Sequence, residues 1–217
     1  MTTTGTAALV SAVEATWATI QEHNPDTPDV IVTLGAGSGG KRGGLRLGHF
    51  APARWVREGE ADMHELFVGG EGLSRGALGV LGTLLHEAVH GVAATREIQD
   101  TSRQGRYHNK RFQKLAGELG IEVEHSESLG WSTTTVPDAT AERYADQVAQ
   151  LAGAITAYRH PEVSSAGGGR KSNNNGKALV CGCDRKIRAS AAVVEAGPIL
   201  CGLCEQPFSV PDDDDGE

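Results

Sequence analysis

The chain has 217 residues, of which 39% are hydrophobic and 22% are charged, and its formal net charge is −8. These values are typical of a soluble globular protein, and they exclude a fibrous chain and a chain that is disordered throughout. The negative net charge also argues against a protein that coats nucleic acid, because phosphate binding draws on clusters of Lys and Arg.

The first part of the chain predicts a helix followed by short strands. Apolar residues recur at helical spacing over 6–22, and Asn24 and Pro25 then end the pattern. Three short apolar runs follow, separated by Gly- or Pro-containing segments, and they span 30–34, 45–50 and 63–68. We expect these runs to form a small antiparallel sheet.

A central helix is predicted over 75–95, with Ser74 as its N-cap. Apolar residues step along one side of it, namely Leu78, Leu81, Leu85, Val89 and Val92. Because several glycines lower its intrinsic helix propensity, its stability must come from burial. An α+β domain is therefore expected, with this helix inside it.

Two further helices complete the predicted domain. Phe112, Leu115 and Leu119 mark a helix that ends at Gly120, and Pro137 opens a last long helix over 139–158. The predicted domain organisation is a first domain at 5–159, a flexible linker at 160–177, a small second domain at 178–210 and an acidic tail at 211–217.

The segment HEAVH carries the chemistry of the predicted central helix. His86 and His90 are four residues apart, so on a helix they lie one above the other and can bind one zinc ion. A zinc ion held by three protein groups keeps a position for water and lowers its pKa to about 7. Glu87, beside this pair, predicts a catalytic general base that takes the proton of that water.

The third ligand is not given by the motif. The pattern HExxHxxGxxH is excluded, since it would require glycine and histidine where this chain has Ala93 and Arg96. His108 is the preferred third ligand because the 18 residues after His90 are enough for the chain to turn back over the metal. Three alternatives remain open, and they are Glu97, Glu118 and His125.

These segments resemble a known family. LLHEAVHG followed by YHNKRFQKLAGELGI is similar to the SprT-like domain, to which the Spartan-type proteases belong, and the similarity covers residues 66–130 best. The resemblance implies a zincin-like fold and a zinc-dependent protease, with ligands matching His86, His90 and His108 and a catalytic acid matching Glu87. In better-known members the substrates are proteins crosslinked to DNA.

The four cysteines form a second constellation. They occur as two close pairs, Cys181 with Cys183 and Cys201 with Cys204, and such pairs can wrap one tetrahedral structural zinc. A zinc ribbon is the predicted structure, and SprT-like chains with a C-terminal ribbon make it more plausible. Two disulfides or four free thiols are the alternatives, and the CxC spacing of the first pair is tighter than the commoner CxxC.

A glycine-rich segment could be mistaken for a nucleotide site. Residues 35–40 match GxGxxG after a predicted strand, but the following KRGGLRLG is a poor helix, and a phosphate site needs a helix N-terminus there. We therefore expect a hairpin loop and no nucleotide cofactor.

Two basic regions suggest DNA as a partner. One lies around the third ligand at 96–114, and the other is the predicted ribbon. An ordinary solvated face is the alternative for the first region, and Trp131 is more readily a core or cleft residue than a base-stacking one. A first segment unlike a secretory signal, and the lack of a run of about 20 apolar residues, predict a cytoplasmic protein without a membrane partner.

Together these patterns predict a zinc-dependent endopeptidase with one catalytic and one structural zinc, and DNA-bound or DNA-crosslinked proteins are candidate substrates. The alternative is a non-enzymatic adaptor that binds DNA or protein and in which both zinc ions are structural. Glu87 discriminates the two, because an adaptor has no use for a carboxylate beside a metal-bound water.

Overall fold

The computed structural model describes residues 5–38, 45–162 and 176–211. The chain divides into two compact units, Met1–Ser164 and Ser165–Glu217. Most of the predicted linker and nearly all of the predicted acidic tail lie outside the described residues. The predicted α+β class is confirmed, since the first unit combines helices with small sheets.

The elements of the first unit alternate between helices and short strands. In chain order they are α1 Gly5–His23, β1 Val30–Gly35, β2 Gly48–Trp55, β3 Met63–Gly69, a 3-10 helix Gly70–Arg75, α2 Gly76–Thr95, β4 Thr101–Ser102, β5 Tyr107–His108, α3 Lys110–Glu118, β6 Glu122–Ser126, β7 Gly130–Thr135, α4 Asp138–Arg143 and α5 Ala145–Ala154.

The first sheet has the strand order β1-β3-β2 and is mixed. β2 pairs antiparallel with β3, as expected, but β1 pairs parallel with β3, so the prediction of an antiparallel sheet was wrong. The reason is topological: β2 and β3 form a hairpin, and β1 pairs with the far side of β3. β2 is consequently an edge strand, and it begins at Gly48 and continues past Phe50 to Trp55 through a bulge at Ala53 (φ 48°).

The second sheet has the order β4-β5-β7-β6 and lies around the end of α2. Its strands are very short except for the antiparallel pair β6 and β7. β5 contributes the parallel pairing of His108 with Gly130, which anchors the segment before α3. This sheet therefore positions residues between α2 and α3 rather than forming a core layer.

The central helix begins one residue later than predicted and without the predicted cap. Ser74 Oγ donates to the carbonyl of Glu71 at 2.8 Å, inside the 3-10 helix, and Arg75 precedes α2. Gly76 has φ 71°, a left-handed conformation that favours glycine and lets the chain turn from the 3-10 helix into α2. Ser74 as N-cap was therefore wrong.

α2 lies in the core of the first unit. Leu81, Leu85, Val89 and Val92 are buried on it, whereas Leu78 is 45% exposed. The helix contacts β2, α1, α3 and α5. Length and composition alone would let Gly70–Thr95 cross a membrane. However, 67% of its apolar window is buried within the protein, and a buried core helix can be equally long and apolar. Burial thus stabilises a helix whose glycines disfavour it.

The predicted long last helix is divided into α4 and α5. Tyr144 leaves the helical conformation (φ −107°, ψ 24°), so the chain bends there, and α5 ends at Ala154 rather than Tyr158. Tyr144 is fully buried and its ring meets His23 edge-on at 5.3 Å. The sequence pattern placed Tyr144 on the apolar face of this helix, which agrees with its burial, but it did not indicate the bend.

The second unit is small. It contains the antiparallel strands β8 Lys177–Val180 and β9 Lys186–Ala189, the short helix α6 Ala191–Glu195, and isolated bridges at Val180–Ser209 and Leu200–Pro207. Among its described residues the buried hydrophobic side chains are Leu179, Cys181, Ala189 and Cys201. Two of these are cysteines, so this unit has almost no core apart from its sulfur cluster.

Candidate metal centres

Two histidines lie one turn apart on α2. His86 and His90 are both partly buried, and their ring centroids are 5.2 Å apart. The helical spacing brings them together, and the burial of the opposite side of α2 holds the helix in place.

His108 joins them from β5. Its N–H donates to the carbonyl of Leu129 at 2.9 Å, and Asn109, the next residue, caps α3 by accepting from Arg111 N at 2.7 Å. Gly130 lies against the His108 backbone with φ 73°, and a Cβ there would collide with that backbone. His108 is therefore positioned by a strand pairing on one side and by a helix cap on the other.

The three histidines form one cluster. The ring of His108 lies 4.9 Å from that of His86 and 5.1 Å from that of His90, and one ligand atom from each side chain lies within 4.8 Å of the others. The Nε2 atoms of His90 and His108 are 3.2 Å apart. Such nitrogen atoms around one point could hold a metal ion, and three imidazoles suit zinc.

Each histidine has an oxygen partner at its other nitrogen. His86 Nδ1 lies 2.8 Å from Thr134 Oγ1, His90 Nδ1 lies 2.5 Å from Asp100 Oδ2, and His108 Nδ1 lies 3.3 Å from a backbone carbonyl. Partners of this kind fix the tautomer and orientation of metal-binding histidines, with Nδ1–H donating and Nε2 left for the metal. The donor set therefore fits a metal ion.

Sequence reasoning missed Asp100 and Thr134. Asp100 is a buried carboxylate ten residues after His90. Thr134 lies on β7, 48 residues from His86. An acidic residue shortly after a HExxH helix could have been noted as a candidate partner, but nothing in the sequence distinguishes Thr134 from its threonine neighbours.

Phe112 forms one wall of the histidine cluster. Its fully buried ring lies 4.8 Å from that of His86, 4.9 Å from that of His90 and 4.4 Å from that of His108. It comes from the first turn of α3, directly after the cap at Asn109. An apolar wall limits the positions that the imidazoles can adopt and excludes water from behind them.

Burial and neighbouring charges shift the pKa values of the three histidines in different directions. Burial lowers the pKa of His86 well below its usual value, and the neighbouring His90 and His108 lower it further. Burial, followed by His90, also lowers the pKa of His108. For His90 burial acts in the same direction, but the hydrogen bond with Asp100 and the charge of Glu87 outweigh it and raise its pKa. Neutral imidazoles, as a metal requires, are favoured at two of the three positions.

Glu87 lies beside the cluster and is only 6% exposed. Its Oε2 accepts a hydrogen bond from the backbone N–H of Phe50 on the edge strand at 2.9 Å. Gly48 makes this approach possible, since a Cβ there would lie 2.7 Å from Glu87 Oε1. Burial raises the pKa of Glu87, against the opposing charge of His90 and the Phe50 N–H. A carboxylate of raised pKa is a stronger base than an ordinary one.

The alternative third ligands lie elsewhere. Glu118 is paired with Arg96 at 2.6 Å, and His125 Nε2 lies 3.0 Å from the Tyr107 hydroxyl. Glu97 follows α2 as an exposed residue in a left-handed conformation (φ 52°). None of the three belongs to the histidine cluster that the described residues form.

The four cysteines form a second cluster. They are free thiols whose sulfur atoms lie within 4.8 Å of one another, with Cys181 and Cys183 3.3 Å apart and Cys183 and Cys201 3.7 Å apart. This arrangement could hold a metal ion, and four sulfur donors are typical of a structural zinc site.

The two cysteine pairs lie in similar loops. In the first, Asp184 N donates to Cys181 O at 3.0 Å, and in the second, Glu205 N donates to Cys201 O at 2.8 Å. Asp184 (φ 59°) and Glu205 (φ 58°) both adopt the left-handed conformation directly after the second cysteine of their pair. The CxC loop is thus a CxxC-like turn shortened by one residue, which answers the concern about its spacing.

Neighbouring groups shift the pKa values of two of the thiols in opposite directions. The backbone N–H groups of Cys204 and Leu203 lower the pKa of Cys201 to about 6, whereas the thiol of Cys181, followed by that of Cys204, raises the pKa of Cys183 to about 12. Arg185 Nη1 also lies 3.7 Å from Cys201 Sγ. Four thiolates cannot share this space without a cation, so full deprotonation requires a bound metal.

The described part of the glycine-rich segment contacts Glu71. Gly37 N and Ser38 N donate to the carboxylate of Glu71 at 2.7 and 3.2 Å, and the Ser38 hydroxyl donates to it as well. The bond from the Ser38 hydroxyl is the main reason that the pKa of Glu71 is lowered to about 2. These amides therefore bind a carboxylate of the same chain. The prediction of a hairpin loop was wrong, because the flanking strands β1 and β2 each pair with β3 and not with each other. Residues 39–44, the rest of the predicted loop, lie outside the described residues.

The basic segment 96–114 is partly neutralised. Arg96 pairs with Asp26 at 2.7 Å and with Glu118, and Arg103 lies over the ring of Tyr107 at 4.5 Å. Lys110, Arg111 and Lys114 are exposed, and they line two surface concavities of about 340 and 490 Å³, to which none of the three histidines contributes. Trp131 is half-buried against the core and the ring of His125, as expected for a wall residue.

Comparison with known proteins identified no relative of this chain. No family model, no curated protein and no solved structure matches the chain.

Proposed function

We propose that the protein is a zinc-dependent endopeptidase in which His86, His90 and His108 hold the metal and Glu87 is the general base. The observation that carries this proposal is a buried carboxylate beside a cluster to which the described residues contribute three donors. A structural zinc site is closed by four protein ligands, whereas a catalytic one keeps a position for water. The similarity of HEAVH and its following helix to the SprT-like zincins supports the same assignment.

The residues of the site have distinct roles in this mechanism. Zinc, when bound, lowers the pKa of a water molecule and polarises a carbonyl. Glu87 accepts the proton as the water attacks the peptide carbonyl and passes it to the leaving amine. The N–H of Phe50 orients the Glu87 carboxylate, and Asp100, Thr134 and the carbonyl of Leu129 hold the imidazoles.

The substitution Glu87→Gln tests the proposal. It removes the base and keeps all three histidines, so the zinc content should stay unchanged while cleavage of an unfolded protein falls by about 10²- to 10⁴-fold. Glu118→Gln, an exposed glutamate paired with Arg96, is the matched control and should retain activity. Unchanged proteolysis in Glu87→Gln would contradict the mechanism, and an inactive wild-type protein with two bound zinc ions would favour the adaptor.

DNA-bound proteins are the proposed substrates. The second unit carries the exposed cations Lys177, Arg185, Lys186 and Arg188, and a SprT-like resemblance connects such a protease to DNA. Phosphate contacts of this kind are independent of base sequence and depend strongly on salt. The support comes from charge and resemblance, and the binding measurement described in the Discussion tests it.

A further inference from the structure

The face of α2 that carries the histidines continues toward the N-terminus of the helix. Gly79, Thr83, His86 and His90 follow one another at intervals of three or four residues, so they share one face. Thr83 lies next to the proposed base as well, since a Cβ on Gly48 would meet Thr83 Cγ2 together with Glu87. Thr83 is itself only 8% exposed, so a substrate that lies along α2 would meet the side chain that covers Thr83 and Gly79.

Arg75 occupies this stretch of the helix. Its Nη1 donates to Thr83 Oγ1 at 3.2 Å. Its side chain crosses Gly79, where a Cβ would lie 3.3 Å from the Arg75 Nε and 3.6 Å from its Cζ. The glycine leaves room for the guanidinium and the threonine binds it, so the cation lies along this face of α2 while Arg75 stays exposed to solvent.

Arg75 forms no ion pair with the described residues, and most of the described arginines share this property. Arg57, Arg96 and Arg159 each form ion pairs, whereas no carboxylate of the described residues lies within 4.0 Å of Arg75. A guanidinium has five N–H donors, and one of them binds Thr83. The remaining donors can bind a carboxylate from outside the chain through two parallel hydrogen bonds.

We propose that Arg75 anchors an acidic side chain of the polypeptide substrate and so selects Asp or Glu at one fixed position of the cleaved sequence. This inference rests on the proposed peptidase activity. The guanidinium lies near residues 79–83 and the metal ligands at 86–90, which at 1.5 Å per residue is a separation of about 10 Å. An extended peptide covers this in about three residues. A peptide is favoured over a nucleic-acid backbone because the site is one fixed cation in line with the base, whereas phosphate binding uses several cations.

The first measurement is a cleavage profile. The zinc-loaded full-length protein digests a mixture of peptides, and mass spectrometry records the residues around each cut. We expect Asp and Glu to be enriched about threefold to tenfold at one position, about three residues from the cut, and Arg75→Gln to remove the enrichment. Arg143→Gln, an exposed arginine of α4, is the matched control and should keep the wild-type profile.

Gly79→Ala tests the position of the charge separately from its presence. Its new Cβ would lie 2.5 Å from the Arg75 Cβ, so the side chain must shift while the charge remains. We expect the acidic preference to weaken in this variant. A preference that survives Arg75→Gln, or that disappears only in Arg46→Gln, would overturn the assignment, because the charge of Arg46 also acts on Glu87.

A binding measurement distinguishes failure of the anchor from failure of the peptidase. The Glu87→Gln protein is titrated with fluorescent peptides that carry Glu or Gln at the preferred position, before and after Arg75→Gln. Cleavage without an Arg75-dependent preference leaves the peptidase and removes the anchor. Arg75-dependent binding of the Glu peptide without any cleavage keeps the anchor and removes the peptidase. An oligonucleotide that displaces the peptide only when Arg75 is present would assign the site to phosphate and overturn the proposal.

Discussion

The histidine cluster and the cysteine cluster meet different structural needs. The histidines project from a helix and a strand that are already supported by a large apolar core, and their outer nitrogens bind Asp100, Thr134 and a carbonyl. The cysteines lie in two loops of a unit whose described buried side chains include two of the cysteines themselves. Three donors beside a buried acid suit a site that does chemistry, whereas four donors in loops suit a site that holds a fold together.

Metal removal gives the largest expected contrast between the two clusters. Structural zinc contributes about 10–16 kcal/mol in zinc-finger peptides, so a strong chelator should unfold the second unit. The first unit should stay folded, because none of the three histidines belongs to the apolar core that its described residues form. Amide resonances of the two units in one NMR spectrum measure this. Loss of dispersion in both units at once would show that the first unit also depends on its metal.

Removal of the third histidine should affect binding rather than folding. His108→Ala leaves two imidazoles, so we expect zinc affinity at this site to fall by more than about 100-fold. This loss is larger than the loss expected when a hydrogen-bond partner of one histidine is removed. Circular dichroism should remain that of the wild type, since His108 is partly exposed. Competition with a zinc chelator of known affinity gives the measurement. His125→Ala is the matched control, and a larger effect there would transfer the ligand role to His125.

The outer partner Asp100 should have a smaller effect. Asp100→Asn keeps the shape but removes the charge that binds His90 Nδ1, and such changes typically lower metal affinity by about 10- to 100-fold. Asp62→Asn, an exposed aspartate, is the control. Equal zinc affinity in the two variants would show that Asp100 supports the fold rather than the metal site.

The smallest expected effect concerns DNA. Removal of residues 160–217 should leave a folded first unit that binds zinc, and should weaken DNA binding by less than about tenfold at 50 mM salt, with the remaining binding lost by 200 mM. Removal of 212–217 alone should strengthen binding, because the acidic residues compete with DNA for the basic surface. Equal affinity of all three proteins in a gel-shift titration would assign the second unit to protein docking.

Local patterns predicted much of the first unit. Helical spacing predicted α1, α2 and α3, because the apolar pattern of an amphipathic helix lies within one continuous segment of the chain. Gly120, with φ 80°, follows the end of α3 as predicted. Strand pairing depends on distant segments, and for that reason the parallel β1–β3 pair was not anticipated. The bend at Tyr144 also depends on the surroundings, since His23 and the core decide where that ring is buried.

By itself the sequence determined which donors are available and which of them are close along the chain: His86 with His90, and the two cysteine pairs. Only the tertiary structure decided that His108 joins them, that Thr134 and Asp100 hold the imidazoles, and that Phe50 and Gly48 receive the Glu87 carboxylate. The physical reason is that a metal site requires donors within a few ångströms in space. Spacing along a chain guarantees this over one helical turn or one tight loop, and packing must supply the rest.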